Sequence, residues 1–450
     1  MGPEDGPVCD SRSVGDVLAR VPMSISQLNG GRTRRFRDIL FSAPAMFAFS
    51  CLLIFSRRVD ALTNAQFWAE DGVIWYRQAY ELGVASLLHS QNGYFQTVSR
   101  MTALLSLNVP LEYAPLFFNL VALFFNALPV LLINGARGVE LLADRRVRLL
   151  LSFLYVAHPY SGEVHVNVTN IHWHLAVAAL LVIFFNDWRG SFRKISDLFL
   201  VVLCGLSGTF ALFLAPIAVW RHWMSRSRRS LALAALMSLC AVLQLFFILA
   251  TPETRTAAPN GATFELFWKI VGGQVVLGGL LGDMWLRVAN RSWWSASWIP
   301  SCVVSVVAVL LMARAWFKGG PRIMMVVALG GMVFGAALLS PQISSAEPQW
   351  PIFSRSTAGG RYAFLPILAM YVCILWQVFH EGRRPVRVVA SAMLACVLFV
   401  AIPHSWVLPP YQDFEFSRSA QRFEAARAGS VIQIPINPSG WVLSLKKRQD

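Results

Sequence analysis

Two adjacent carboxylates, Glu70 and Asp71, stand in the aromatic stretch NAQFWAEDGVIWYRQAY, residues 64–80, directly after the first long apolar run of the chain. Only 14% of the residues are charged, so two acids side by side next to a hydrophobic segment form a chemical signal. A carboxylate within hydrogen-bond reach of a hydroxyl can take its proton, with a pKa tuned by partial burial. Neighbours on a helix diverge by about 100°, so at most one of the pair faces a reacting atom. On this reading Asp71 is the general base and Glu70 an orienter or metal ligand. The structural alternatives are acids stabilising the first turn of a helix that starts near Gly72, and an ion pair with Arg77.

A second polar concentration lies in AHPYSGEVHVNVTNIHWHL, residues 157–175. In an extended segment Glu163, His165 and Asn167 share one face, whereas His172 and His174 diverge on a helix. Together they suit a polar wall against a sugar. They match no metal-ligand spacing, so no metal site is assigned, although a divalent ion is compatible with the acids. A cluster of histidines satisfied at an interface is the plainer alternative. The third concentration is SPQISSAEPQWPIFSRSTAGGRYAFLP, residues 340–366, with Arg355, Arg361 and Tyr362 just before an apolar run. An arginine fork matches phosphate geometry. These three residues are the expected phosphate site, against the alternative of arginines that snorkel to an interface.

The elements that must hold these residues are membrane helices. The chain has 450 residues, 56% of them hydrophobic, with repeated apolar runs of spanning length. Sixteen Trp and 31 Phe suit a lipid-facing surface with aromatic belts. The formal charge of +15 falls largely in short loops between apolar runs, such as ARAWFKGGPR and HEGRRPVR. That pattern fits the positive-inside rule and argues against a nucleic-acid partner. The seven cysteines, Cys9, Cys51, Cys204, Cys240, Cys302, Cys373 and Cys396, imply neither a disulfide framework nor a zinc site.

The expected fold is an all-α polytopic bundle of about eleven membrane segments. Residues 1–38 read as a cytoplasmic, largely disordered N-terminus and 39–403 as the membrane module. Long outer loops are expected at 57–112, 251–296 and 341–361. Residues 197–221 begin and end at basic loops and read as a helical hairpin broken near Gly205 and Gly208. Residues 404–450 form an outer tail. Within it, SVIQIPINPSGWVLSL alternates like strands around a turn.

Many spans, a cytoplasmic N-terminus and a long first outer loop carrying AEDG resemble the GT-C superfamily of membrane glycosyltransferases. GGRYAFLP and IPINPSGW are similar to stretches in uncharacterised bacterial members. The resemblance covers residues 39 to 403, with a tail shorter than the soluble domain of many members. It implies a polyprenyl-phosphate sugar donor, one of Glu70 and Asp71 as catalytic base, and outer-loop helices after the motif. The expected activity is inverting transfer of one sugar to a cell-envelope glycan or glycolipid at the periplasmic face of a bacterial inner membrane. Membrane lipids are the other expected partners. Competing classes are an O-antigen-type polymerase or ligase, which relies more on outer-loop arginines, a transporter or flippase of lipid-linked sugars, and a non-catalytic scaffold. A transporter needs ionisable groups deep in its spans, and the expected span centres carry almost none.

Overall fold

A computed structural model describes residues 42–186, 188–251 and 258–449; the expected N-terminal region 1–38 lies outside the described residues. The protein is a mostly helical, multi-pass membrane protein with one small sheet. Among the described residues seven helices are long and apolar enough to cross a bilayer: Leu111–Asn134, Arg228–Ala250, Phe264–Ala289, Ile299–Lys318, Pro321–Leu339, Arg361–His380 and Arg384–His404.

The eleven expected segments differ from these seven for a geometric reason. Three of them are helices of 15, 12 and 14 residues, Ala43–Arg57, Arg145–Val156 and Ile171–Phe184. At about 1.5 Å per residue the last two fall well short of a ~30 Å hydrocarbon core. Ile171–Phe184 is the axis of the bundle. It is apolar around its whole circumference, and every residue except His172 is buried.

The segment expected as a hairpin consists of two helices, Ser191–Gly205 and Phe210–Ser225. Its turn reaches the end of the bundle that holds Glu70, hereafter the site end. There Gly208 at φ 82° donates its N–H to Phe95 O at 2.8 Å and lies flat against the His172 ring. Buried Gln244, from Arg228–Ala250, donates to the Gly205 and Gly208 carbonyls that the turn leaves free.

The run Phe264–Ala289, expected as a half-buried part of an outer loop, has the length and hydropathy of a span. Its middle nevertheless belongs to the site end. Buried Gln274 accepts from Tyr160 and donates to Ser356 O at 2.8 Å. Gly282, at φ 58°, turns the run where it presses on Pro159 and Ser405; a Cβ there would stand 2.0 Å from Ser405 Oγ.

After Arg384–His404 the chain folds back over the site end. A helix at Phe416–Glu424 precedes β1 (Val431–Ile436) and β2 (Trp441–Lys446), which pair antiparallel from Val431↔Lys446 to Ile436↔Trp441. Period-two alternation sends Ile434, Ile436, Leu443 and Leu445 inward, all fully buried. Ile436 packs on Gly72 and Phe67, so the cap rests directly on the acid-bearing stretch.

The opposite end is fastened by charge. Asp197, 2% exposed, accepts from Arg137 at 2.8 and 2.7 Å, from Arg229 at 2.9 Å and from Trp188 Nε1 at 2.8 Å. Removing the buried carboxylate that pairs buried Arg229 and half-buried Arg137 leaves both guanidiniums uncompensated. Asp197→Ala is therefore expected to cost about 3–5 kcal/mol. In a thermal melt of detergent-solubilised protein its midpoint should fall clearly. Glu140→Ala, which breaks only an exposed pair with Arg189, should shift the midpoint little, since such pairs contribute about 0–1 kcal/mol.

Candidate functional site

Glu70 owes its place to backbone clamped from outside the membrane bundle. Asn437, in the turn between β1 and β2, donates its N–H to Phe67 O at 3.1 Å and accepts from the N–H of Ala69. Its side chain is buried and bonds Gln66 Oε1 at 3.3 Å, Gln412 O at 2.9 Å and the Gln412 N–H at 2.9 Å. Held at both ends, Ala69 adopts φ 46°, a left-handed conformation that a residue with a Cβ rarely takes. A wide π-type turn, Asp71–Tyr76, follows at once. The clamp and the wide turn send Glu70 and Asp71 to different sides of the chain.

Glu70 faces a cavity of about 410 Å³ at the site end. Its carboxylate accepts from Thr169 Oγ1 at 3.4 Å, and that hydroxyl accepts from Trp75 Nε1 at 2.9 Å. The wall carries polar groups from Gln91, Asn92 and Tyr94 and from Asn170 and His172, with aromatic faces from Trp68, Trp173 and Trp441. Phe213, Val333 and Ala337, from two membrane helices, make an apolar floor. A concavity in which polar groups converge between aromatic and apolar walls suits a small-molecule ligand.

Arg361 and Tyr362 open the helix Arg361–His380 and line the same cavity. Glu163 grips Arg361 twice, accepting from the guanidinium with one oxygen and from the backbone N–H at 3.0 Å with the other. The second guanidinium arm donates to Gln342 O and, at 3.2 Å, to the Tyr362 hydroxyl. The guanidinium lies 4.7 Å from the Tyr362 ring centre. Glu70 and Tyr94 are within electrostatic reach of it. Arg361 is thus held from three sides with its plane fixed, which a snorkelling arginine is not.

The other expected residues have different places. Asp71, expected as the base, is 1% exposed and does not line the cavity. Its Oδ2 accepts from the Val168 N–H at 3.1 Å, while Oδ1 is buried with no partner among the described residues. Burial raises its pKa well above the ordinary 3.8, the Val168 N–H opposes that shift, and the neighbouring Glu70 charge adds to it. The acid facing the cavity is Glu70.

His165 is buried away from the cavity, and desolvation, with Arg57 and Arg58 nearby, holds its imidazole well below the usual range. Asn167 is part of the scaffold: it donates to Glu163 O at 2.9 Å and accepts twice from Asn170, fixing the turn that presents Glu163. His174 bridges Val164 O at 2.9 Å and the Tyr155 hydroxyl at 2.6 Å. A carbonyl only accepts, so Nε2 carries the proton and Nδ1 receives the phenol. Arg355 is 66% exposed and paired with Glu347 at 3.1 Å, outside the cavity. Glu163, His165 and Asn167 do not share an extended face, because 162–164 is a helical turn.

The polar stretch HSQNGYFQTVSR stands out in the sequence, but local pattern assigns no role to residues 91–94 or to Asn437. NPSG reads as a turn, and nothing local says what a turn will touch. Among the described residues no group of three or more His, Cys, Asp or Glu side chains gathers as a metal site. No protein-family model matches the chain, and no curated protein or solved structure matches it.

The buried acid generates a pH prediction. A carboxyl whose pKa is raised by folding contributes stability that is fully present below its unfolded pKa and is lost as pH rises through the folded one. Asp71→Asn keeps an oxygen for the Val168 N–H and cannot ionise. Thermal melts in detergent across a pH series should show wild type losing stability relative to this variant as pH rises above 3.8. A constant difference over that range would contradict the assignment.

Proposed function

We propose that this chain is a membrane glycosyltransferase of the GT-C type. It would move one sugar from a polyprenyl-phosphate donor to a cell-envelope glycan or lipid, with inversion, at the periplasmic face of a bacterial inner membrane. The observation that carries the reading is one cavity, set on an apolar helical bundle, into which both Glu70 and the fixed Arg361–Tyr362 pair project. The basic loops gather at the opposite end, which supports a periplasmic site by the positive-inside rule.

In this mechanism Glu70 accepts the proton of an acceptor hydroxyl, and Thr169 orients its carboxylate. The hydroxyl oxygen attacks the anomeric carbon as the bond to the donor phosphate breaks. Arg361 and the Tyr362 hydroxyl stabilise the charge that develops on the departing polyprenyl phosphate. Because Glu163 already holds the arginine, little reorganisation is needed at that moment. Trp68, Trp173 and Trp441 offer flat apolar faces to a sugar ring, and the floor of Phe213, Val333 and Ala337 leads toward lipid for the first isoprene units. Attack opposite the leaving phosphate inverts the centre.

A second reading, a polymerase or ligase for lipid-linked glycans, is favoured by one feature, the well-supported Arg361. The two separate in one experiment. Protein in nanodiscs is given a panel of polyprenyl-phosphate sugars with a lipid-glycan extract, and transfer and polyprenyl-phosphate release are followed by mass spectrometry. Glu70→Gln should lose about 10²–10⁴-fold in turnover, the usual contribution of a general base. Asp71→Asn should keep most of it, and Arg361→Lys should raise the donor KM and lower kcat for want of the fork. Full turnover in Glu70→Gln with loss in Arg361→Gln would replace the first reading by the second.

A further inference from the structure

At the end of the bundle opposite Glu70 there is a second cleft, of about 180 Å³. Arg145–Val156, Ile171–Phe184, Pro321–Leu339 and Arg361–His380 supply most of its lining, with Ile133 and Leu141 closing one side. Its walls are almost entirely apolar, with Leu180, Leu181, Val326, Leu368 and Val372 among them. Such a space does not hold water, which needs polar partners. Left empty, its lining atoms would forgo dispersion contacts. The bilayer can fill it with a hydrocarbon chain.

The mouth of the cleft is cationic. Arg322, second residue of its helix, and His380, last residue of its own, line it. Arg221 stands close enough to Arg322 to repel it. Arg322 has one long hydrogen bond, to Leu141 O at 3.5 Å, and neither arginine has a carboxylate partner among the described residues. The acids that could neutralise them are committed elsewhere. Asp197 binds Arg137 and Arg229, Glu381 binds Arg314, Glu140 binds Arg189 and Asp144 caps the Arg146 N–H. Exposed aromatics at the same helix ends, Phe192, Trp223 and Phe317, put this level of the protein at the lipid headgroups.

An apolar slot under two like charges, at headgroup depth, has the complementarity of an anionic phospholipid. We propose that the cleft binds one bilayer phospholipid with an anionic head group. One acyl chain lies between Leu180 and Val372, and the phosphate is held by Arg322 with Arg221 and His380 beside it. This site is separate from the cavity of Glu70 and does not depend on the glycosyltransferase reading. The lipid would brace the ends of the central helix Ile171–Phe184 and of Arg361–His380, whose other ends carry His172 and Arg361.

The test is native mass spectrometry of the detergent-purified full chain, equilibrated with equal amounts of phosphatidylglycerol and phosphatidylcholine. Wild type should retain one phosphatidylglycerol with roughly thirtyfold preference, the factor to which two arginines at about 1 kcal/mol each near a lipid surface correspond. Arg221→Gln combined with Arg322→Gln should reduce the preference to near unity. Arg228→Gln, an exposed arginine on the same face, should leave it intact. Val372→Phe, which fills the slot, should lower retention of the bound lipid while the protein stays monodisperse. Equal retention of the two lipids by wild type would overturn the proposal. So would an unchanged preference in the double variant, whose substitutions are at the surface and spare the fold. Full retention in Val372→Phe would exclude the cleft as the place of binding.

Discussion

Arg57 joins the parts of this protein that carry the site. It is the last residue of the helix Ala43–Arg57 and is 1% exposed. Its guanidinium donates to Val156 O at 2.8 Å, to Ser161 Oγ and His158 O at 3.0 Å, and to the carbonyls of Trp406 and Ser405 at 3.3 and 3.4 Å. Its own carbonyl accepts from Leu408 N at 2.8 Å. Helix ends leave carbonyls without partners, and in a membrane bundle each must find a donor inside the protein. One five-donor fork meets that need where Ala43–Arg57, Arg145–Val156 and Arg384–His404 all end. The irregular segment 157–170 can then lie buried among them.

That segment in turn determines the cavity. Buried irregular backbone is costly unless every polar group is met, and here Asn167, Asn170 and His174 meet several of them. The consequence is a rigid presentation of Glu163, which sets Arg361, and of Thr169, which sets Glu70. Most histidines and amides near the site are thus scaffold, and the groups left facing the cavity are few. The strained Ala69 fits the same picture: backbone strain is held in place by the Asn437 clamp, next to the residue whose direction matters.

The two ends of the bundle use charge differently. At the site end, acids and one arginine converge on a cavity. At the other end, a buried carboxylate collects two arginines, while Arg221 and Arg322 have no carboxylate partner among the described residues. The helices Ile171–Phe184, Pro321–Leu339 and Arg361–His380 contribute to both ends, so side chains in the cavity and in the apolar cleft share three stiff elements.

The sequence by itself determined the class of fold, because length and hydropathy decide what can live in a bilayer, and it located the Gly205–Gly208 break and the strand-like tail. It also picked out Glu70, Glu163, Arg361 and Tyr362 by chemistry out of place among apolar runs. Span counting was less secure, because apolar composition does not say how long a helix runs; Ile171–Phe184 and Arg145–Val156 stop short of the thickness of a bilayer core. Only the tertiary structure decided which acid of the pair faces the cavity. Adjacent side chains diverge whatever the fold, but their direction is set by Asn437, 367 positions after Glu70 in the chain. The tertiary structure likewise placed His165, Asn167 and His174 in the scaffold and left Arg355 at the surface. Residue type and local spacing carry no record of which distant backbone will supply a hydrogen bond.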